Sequence, residues 1–394
     1  MKQLAIILLL SSQINCNGNT QRSEPTRIPF RLIGDIIYIQ ISVNNEDSLN
    51  FIFDTGAGMT LIGKPLGDRL GLYNGILANN SGAAGNSTVE TFRNNKITIG
   101  GKMINNVVLM KDASALNSTV LRENLDGIIG YDILSEFVVK IDYQNSFLEL
   151  QEFRGYTYSG GGQQFRFRLT HNVPNIPMSL TLNHTKYTGN FLVDSGAAAN
   201  LVLTTPFAKQ ITTSPSIKDS YSLSTKIGTS QTKTGLMITR IPLVELGIYR
   251  FTHTPVVLSQ AKSGVLAMNS FHGVIGNSIL KRFDLVLDYK RKTIAMEKND
   301  LFDSEFEVDC LGAIFKKDVS NGKLIISGVI ENSPAKLSGL AAGDEIMEIE
   351  GVPISKIDSN QLRKILRSDG DIIQLKIKHD KTIIEKTILL EALI

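Results

Sequence analysis

At 394 residues the chain is too long for one ordinary domain, and two or three are expected. With 42% hydrophobic and 20% charged residues it has a globular composition, and a net charge of +3 without a Lys/Arg-dense stripe argues against a nucleic-acid surface. Cys16 and Cys310 are too few for a disulfide framework, and five scattered histidines make no zinc motif, so neither a metal nor an organic cofactor is expected.

The N-terminus reads as an export signal over residues 1–16. Lys2 supplies a positive start and Leu4 to Leu10 an unbroken apolar run, too short to span a bilayer. The competing reading is a buried first strand. Residues 17–27 then form a polar linker. Cys16 lies where a bacterial lipoprotein would carry its lipid, although Gln13-Ile14-Asn15 departs from the usual lead-in. A lipid anchor and soluble secretion are both open.

A first half is expected over residues 28–155. Leu32 to Val43 is strand-rich, and Asn44 to Asp47 is a turn by composition. Leu49 to Phe53 forms a strand that delivers Asp54-Thr55-Gly56-Ala57 into a turn. Lys64 to Leu72 suits a short helix. Asn79 to Thr88 is rich in Asn, Gly, Ala and Ser and reads as flexible and poorly able to pack. Lys96 to Lys111 gives two strands around Gly100-Gly101. After Ile128-Ile129-Gly130 and a short helix at Tyr131 to Glu136, a hairpin around Tyr143 to Ser146 closes the half.

A second half, residues 156–300, repeats this plan, with Ser159 to Gly162 read as the linker between the halves. Phe191-Leu192-Val193-Asp194-Ser195-Gly196-Ala197 echoes Phe51-Ile52-Phe53-Asp54-Thr55-Gly56-Ala57, 140 residues on from Asp54. His272-Gly273-Val274-Ile275-Gly276 echoes Asp126-Gly127-Ile128-Ile129-Gly130, 146 residues on. Such duplication predicts a pseudo-twofold axis with one carboxylate from each half beside it. Asp142 and Asp288 also recur, but they precede hairpin turns and read as structural. So does Asp132, opposite which the second half offers Asn277 at the analogous offset.

The paired Asp-Thr/Ser-Gly-Ala phrases, each followed by an apolar-apolar-Gly phrase, resemble the retropepsin-like and pepsin-like aspartic peptidases over residues 28–298. The resemblance implies a mainly β fold of two acid-protease-like lobes in one chain, and catalysis by Asp54 and Asp194. Thr55, Gly56, Ser195 and Gly196 would support the carboxylates, with the hydroxyls bonding across the lobe interface. Ser81 to Glu90 and Gly228 to Thr234 would be flaps, with Gly82, Gly85 and Gly228 suiting mobility. Plain surface loops are the alternative there.

From Glu305 the character changes. Ser333-Pro334-Ala335, Gly339-Leu340, Ala342-Gly343-Asp344 and Ile349-Glu350-Gly351 follow in an order that resembles a small α+β PDZ domain at 305–394. Leu311-Gly312-Ala313-Ile314 would then be its carboxylate-binding loop, or simply its first strand. The whole reads as an exported, monomeric pseudo-dimeric endopeptidase acting on peptides or proteins, with a C-terminal peptide ligand at the PDZ domain and membrane contact only through a lipid anchor. Its rivals are a non-catalytic peptide-binding scaffold and a dimer that pairs lobes across chains.

Overall fold

The computed structural model describes residues 24–112, 125–212, 220–226, 233–317 and 321–394. The expected export signal with Cys16 falls outside these residues, as does Gly228 of the second flap.

Apolar strands ending in tight polar turns dominate the first 300 residues, and they fold into two eight-stranded sheets of identical plan. In the first lobe the spatial order is Arg31–Ile33, Ile36–Val43, Glu46–Phe53, Gly127–Ile129, Leu61–Gly63, Lys102–Asp112, Gly85–Ile99, Ile76–Gly82. The second lobe repeats that order, strand for strand: Arg168–Thr170, Val173–Leu182, Thr185–Asp194, Gly273–Gly276, Leu201–Leu203, Tyr249–Ser259, Thr234–Leu246, Ser220–Thr225. In both, the Asp-bearing strand pairs in parallel with the strand of the apolar-Gly phrase: Phe51 to Phe53 with Gly127 to Ile129, and Phe191 to Asp194 with Gly273 to Gly276. Buried on both faces, these central strands read as unbroken apolar runs, as the sequence does.

Several expectations change in detail. Leu32 to Val43 is two strands, because Gly34 and Asp35 both take left-handed backbone (φ 57° and 66°) and close a two-residue hairpin. Asn79 to Thr88 is a continuous hairpin: Ala78 to Gly82 pairs with Gly85 to Val89, and Ala84 is buried. Small polar side chains weaken a strand's own packing, but the main-chain ladder forms regardless of them. The expected linker ends early, since Thr26 already pairs with Leu150.

The closing hairpins do not stay within their lobes. Thr26–Pro29, Phe147–Gln151 and Val138–Asp142 join Phe283–Asp288, Thr293–Lys298 and Gln163–Arg166 in one six-stranded sheet. The seam runs between Val138 to Ile141 and Leu285 to Asp288. Asp142 and Asp288 brace the ensuing turns, accepting the amides of Asn145 (2.9 Å) and Arg291 (2.8 Å).

The C-terminal domain has its own core, including Leu311, Phe315, Ile326, Ile346, Leu362 and Leu375. Its sheet runs Ala313–Lys317, Leu324–Val329, Glu345–Ile349, Ile372–His379, Thr382–Leu389, with Val352–Pro353 beside Glu345–Ile349. Ser333 caps the helix Pro334–Leu337 through the Lys336 amide, and Asp358 with Gln361 forms a capping box on the helix Ser359–Leu366. The connection to this domain is pinned. The Arg282 guanidinium donates to the carbonyls of Leu301 and Phe302 (3.1 Å each) and of Glu305 (3.1 Å), and lies over the Phe306 ring.

Candidate active site

Asp54 and Asp194 leave equivalent strand ends on opposite sides of the pseudo-twofold axis, and the structure brings them together. Their carboxyl groups are hydrogen-bonded to each other. Gly56 donates its amide to Asp54 Oδ1 (2.7 Å), and Gly196 donates to Asp194 Oδ1 (2.8 Å). Each glycine also lies against the opposing carboxyl: a Cβ at 56 would fall on Asp194 Cγ, and one at 196 on Asp54 Cγ. Glycine is therefore required at both positions by close approach.

Beneath the carboxylates, Thr55 and Ser195 form a buried lattice. The Thr55 amide donates to Ser195 Oγ and the Ser195 amide to Thr55 Oγ1, both at 3.0 Å. The Thr55 hydroxyl donates to the Val193 carbonyl (2.8 Å) and the Ser195 hydroxyl to the Phe53 carbonyl (2.9 Å). Four cross-lobe bonds thus fix the two acidic loops against one another. Desolvation, and secondarily the neighbouring Asp54, push the Asp194 carboxyl well above the usual carboxylate range. Two carboxyls sharing a site in this way cannot both ionise cheaply, so the pair can hold one proton between them, leaving one acid and one base.

The apolar-Gly phrases hold the loops from behind. Tyr131 donates its amide to the Ala57 carbonyl (2.8 Å), and Asn277 donates to the Ala197 carbonyl (2.7 Å). Tyr131 and Asn277 are therefore equivalent, and Asp132 is matched by Ser278, one residue beyond the Asn277 expected from sequence. Asp132 accepts both the amide and the hydroxyl of Thr60 at 2.8 Å, which ties the Asp54 loop to the helix Tyr131–Leu134.

The hairpin expected to serve as the first lobe's flap packs against the second lobe. Its tip is Gly82-Ala83-Ala84-Gly85, with Gly82 opposite Gly85. Leu266 of the second lobe donates its amide to the Ala83 carbonyl (2.8 Å), and Ala84 is buried in a cluster with Leu192, Leu266, Phe271 and Val274.

Residues outside the Asp-Thr/Ser-Gly-Ala phrases also brace the site. The turn residue Asp35 and its counterpart Asn172 each cross to the opposite lobe, Asn172 donating its side-chain amide to the Gly58 carbonyl (3.3 Å). Asp126 accepts the Asn50 amide (3.0 Å) as His272 Nδ1 accepts the Asn190 amide (3.1 Å). The Tyr143 hydroxyl donates to Asn277 Oδ1, whereas its counterpart Tyr289 packs edge-on to the Tyr131 ring with its hydroxyl buried and, among the described residues, unpartnered. The offset of 146 residues that relates Asp126 to His272 also relates Tyr143 to Tyr289.

In the C-terminal domain, the amides of Leu311 and Gly312 both donate to the Asp309 carboxylate, the first at 3.0 Å. Ala313 and Ile314 continue into the strand Ala313–Lys317, which is an edge strand among the described residues.

A duplicated β lobe with an Asp from each half, clasped by reciprocal hydroxyl bonds, defines a single-chain acid-protease fold. Comparison with family models agrees: residues 39–133 match the aspartyl protease family, and residues 305–378 match the PDZ domain. The aspartyl protease match thus lies within the first lobe and the PDZ match within the C-terminal domain, a combination that points to a protease-type function.

Proposed function

We propose that the chain is an exported aspartic endopeptidase whose PDZ domain recruits a substrate or partner. The observation that carries this reading is the carboxyl pair: Asp54 and Asp194 bonded to each other, each with one oxygen already held by the glycine two residues on. With a water between them, the ionised carboxylate takes a proton from it. The protonated carboxyl donates to the scissile carbonyl oxygen, water attacks, and the gem-diol collapses to acid and amine. The packing of the hairpin tip Gly82 to Gly85 against the second lobe supports a cleft that excludes bulk water during the reaction. The position of Ala313–Lys317 at the sheet edge, among the described residues, supports peptide recruitment by strand addition. Export rests on Lys2 and the Leu4 to Leu10 run, with Cys16 as the candidate lipid attachment.

The test is cleavage of an unbiased peptide library from acid to neutral pH by the wild type and by Asp54→Asn and Asp194→Asn. Loss of cleavage in both single variants is expected. Cleavage surviving either substitution excludes a shared dyad, and an inert wild type at every pH leaves the peptide-binding scaffold.

A further inference from the structure

The hairpin Gly34-Asp35 joins three bodies. Within the first lobe it is a two-residue turn, and a turn needing left-handed backbone at both positions would take Gly at the second more cheaply than Asp. The Asp35 side chain crosses into the second lobe. Its carboxylate accepts the Ser278 hydroxyl (2.8 Å) and the Lys281 ammonium (2.7 Å), while its carbonyl accepts the Asn277 side-chain amide (2.6 Å). The same carboxylate accepts Arg363 Nη2 of the PDZ domain (3.0 Å).

The PDZ helix Ser359–Leu366 docks on this turn with one face. Arg363 Nη1 donates to the Gly34 carbonyl (2.8 Å). Asn360, one turn earlier, accepts the Gly34 amide and donates to the Leu32 carbonyl, both at 3.0 Å. The capping box at Asp358 fixes where that helix starts, and so which residues share the docking face.

The pseudo-twofold partner of Asp35 shows what a simple lobe clasp needs. Asn172, also in a two-residue left-handed turn, reaches Gly58 through one neutral amide, and among the described residues no third body is involved. Asp35 is instead a carboxylate only 9% exposed, which burial disfavours and two cations stabilise. One cation belongs to the second lobe and one to the PDZ domain. Undocking the PDZ domain leaves the carboxylate with half its countercharge.

From Asp35 the path to the catalytic loop is short. Asn277 and Ser278, which Asp35 holds by side chain, donate their own amides to the Ala197 (2.7 Å) and Ala199 (3.2 Å) carbonyls of the loop that carries Asp194. We propose that Asp35 is a positioning residue through which the docked PDZ domain, by way of Arg363, sets the geometry of the Asp194 loop. The statement about catalysis rests on the peptidase reading above; the statement about the loop does not.

The experiment compares the full chain with Arg363→Ala, with Asp35→Asn and with the double variant, and has two readouts. The first is hydrogen exchange at the Asn277 and Ser278 amides. Both single variants should exchange faster there, and the double variant no faster than Asp35→Asn alone. Lys336→Ala, which breaks an exposed ion pair with Glu331 inside the PDZ domain, should leave it unchanged. The second readout is peptide cleavage. Arg363→Ala should lower kcat on the order of 10- to 100-fold, the scale of a small misplacement of catalytic groups, with KM little changed. Unchanged exchange in Arg363→Ala overturns the coupling, whether or not the wild type cleaves peptide. Faster exchange with unchanged kcat overturns the positioning role and leaves Asp35 a clasp.

Discussion

Thr55 and Ser195 trade hydrogen bonds across the lobe junction: each hydroxyl oxygen accepts the other residue's backbone amide at 3.0 Å. Both are buried, so deleting one hydroxyl strands groups that water does not reach. Thr55→Ala leaves the Val193 carbonyl and the Ser195 amide unsatisfied and should cost about 1–3 kcal/mol. Thr55→Ser keeps both bonds and should stay near wild type. Urea denaturation of the two variants measures the difference, and equal midpoints would show that the lattice contributes little to stability.

Asp194 should make stability depend on pH in the direction opposite to most carboxylates. Desolvation, then Asp54, raises its folded-state value, so the native protein keeps a proton that the unfolded chain has lost. Below the ordinary value of 3.8 both states are protonated and the group contributes nothing. As pH rises from there to the raised folded value, the folded state binds more protons and stability falls. Asp194→Asn should abolish cleavage, flatten that fall and raise Tm at neutral pH. Thermal melts across the pH range decide it. An equally steep fall in the variant would place the effect in other groups.

The duplication made the two lobes legible. Apolar runs ending in Asp-Thr-Gly-Ala and Asp-Ser-Gly-Ala mark the strand ends that the structure brings to one axis, and the later apolar-Gly phrases mark their parallel neighbours. What the sequence does not mark arises between elements. Asp35 looks like any turn residue, because its meaning depends on Lys281 and Arg363, more than 240 residues away. The flap hairpin was obscured by composition: Asn79 to Thr88 offers little side-chain packing, and its order comes from backbone pairing and the burial of Ala84. The seam between Val138 to Ile141 and Leu285 to Asp288 has no local sign, since each strand looks like half of its own hairpin.

Gly264 is a contact on which the hairpin tip Gly82 to Gly85 rests. Its backbone is left-handed (φ 78°), and a Cβ there would strike the backbone of Gly82, Ala84 and Gly85. Gly264→Ala should lift the flap tip, break the bond from the Leu266 amide to Ala83 and cost about 1–3 kcal/mol through backbone strain alone. Faster exchange at the Leu266 amide and a raised KM are expected. An unchanged Leu266 amide would mean that the flap holds without this contact.

If the loop Leu311-Gly312-Ala313-Ile314 holds a peptide C-terminus, Asp309 occupies the amides that the peptide's carboxylate would seek. Burial pushes its carboxyl up, yet it still accepts from Leu311 and Gly312. Asp309→Ala should free both donors. Peptides with a free C-terminus should then bind the full chain roughly 10- to 100-fold more tightly, the worth of a charge-assisted hydrogen bond, while C-terminally amidated peptides should not gain. Calorimetry with the two peptide forms separates the cases, and an equal gain for both would assign the effect to loop opening instead.

The six-stranded sheet has a consequence for synthesis. Val138–Asp142 is complete when the first lobe leaves the ribosome, but its neighbour Phe283–Asp288 is made more than 140 residues later. Until then a nascent chain exposes a row of unpaired main-chain groups, a template for any matching strand. The nearest match in a crowded polysome is another nascent copy, so the order of translation exposes this protein to domain swapping at its central seam. The tie between the two halves keeps the correct partner at high local concentration, an advantage that two separate single-lobe chains would lack.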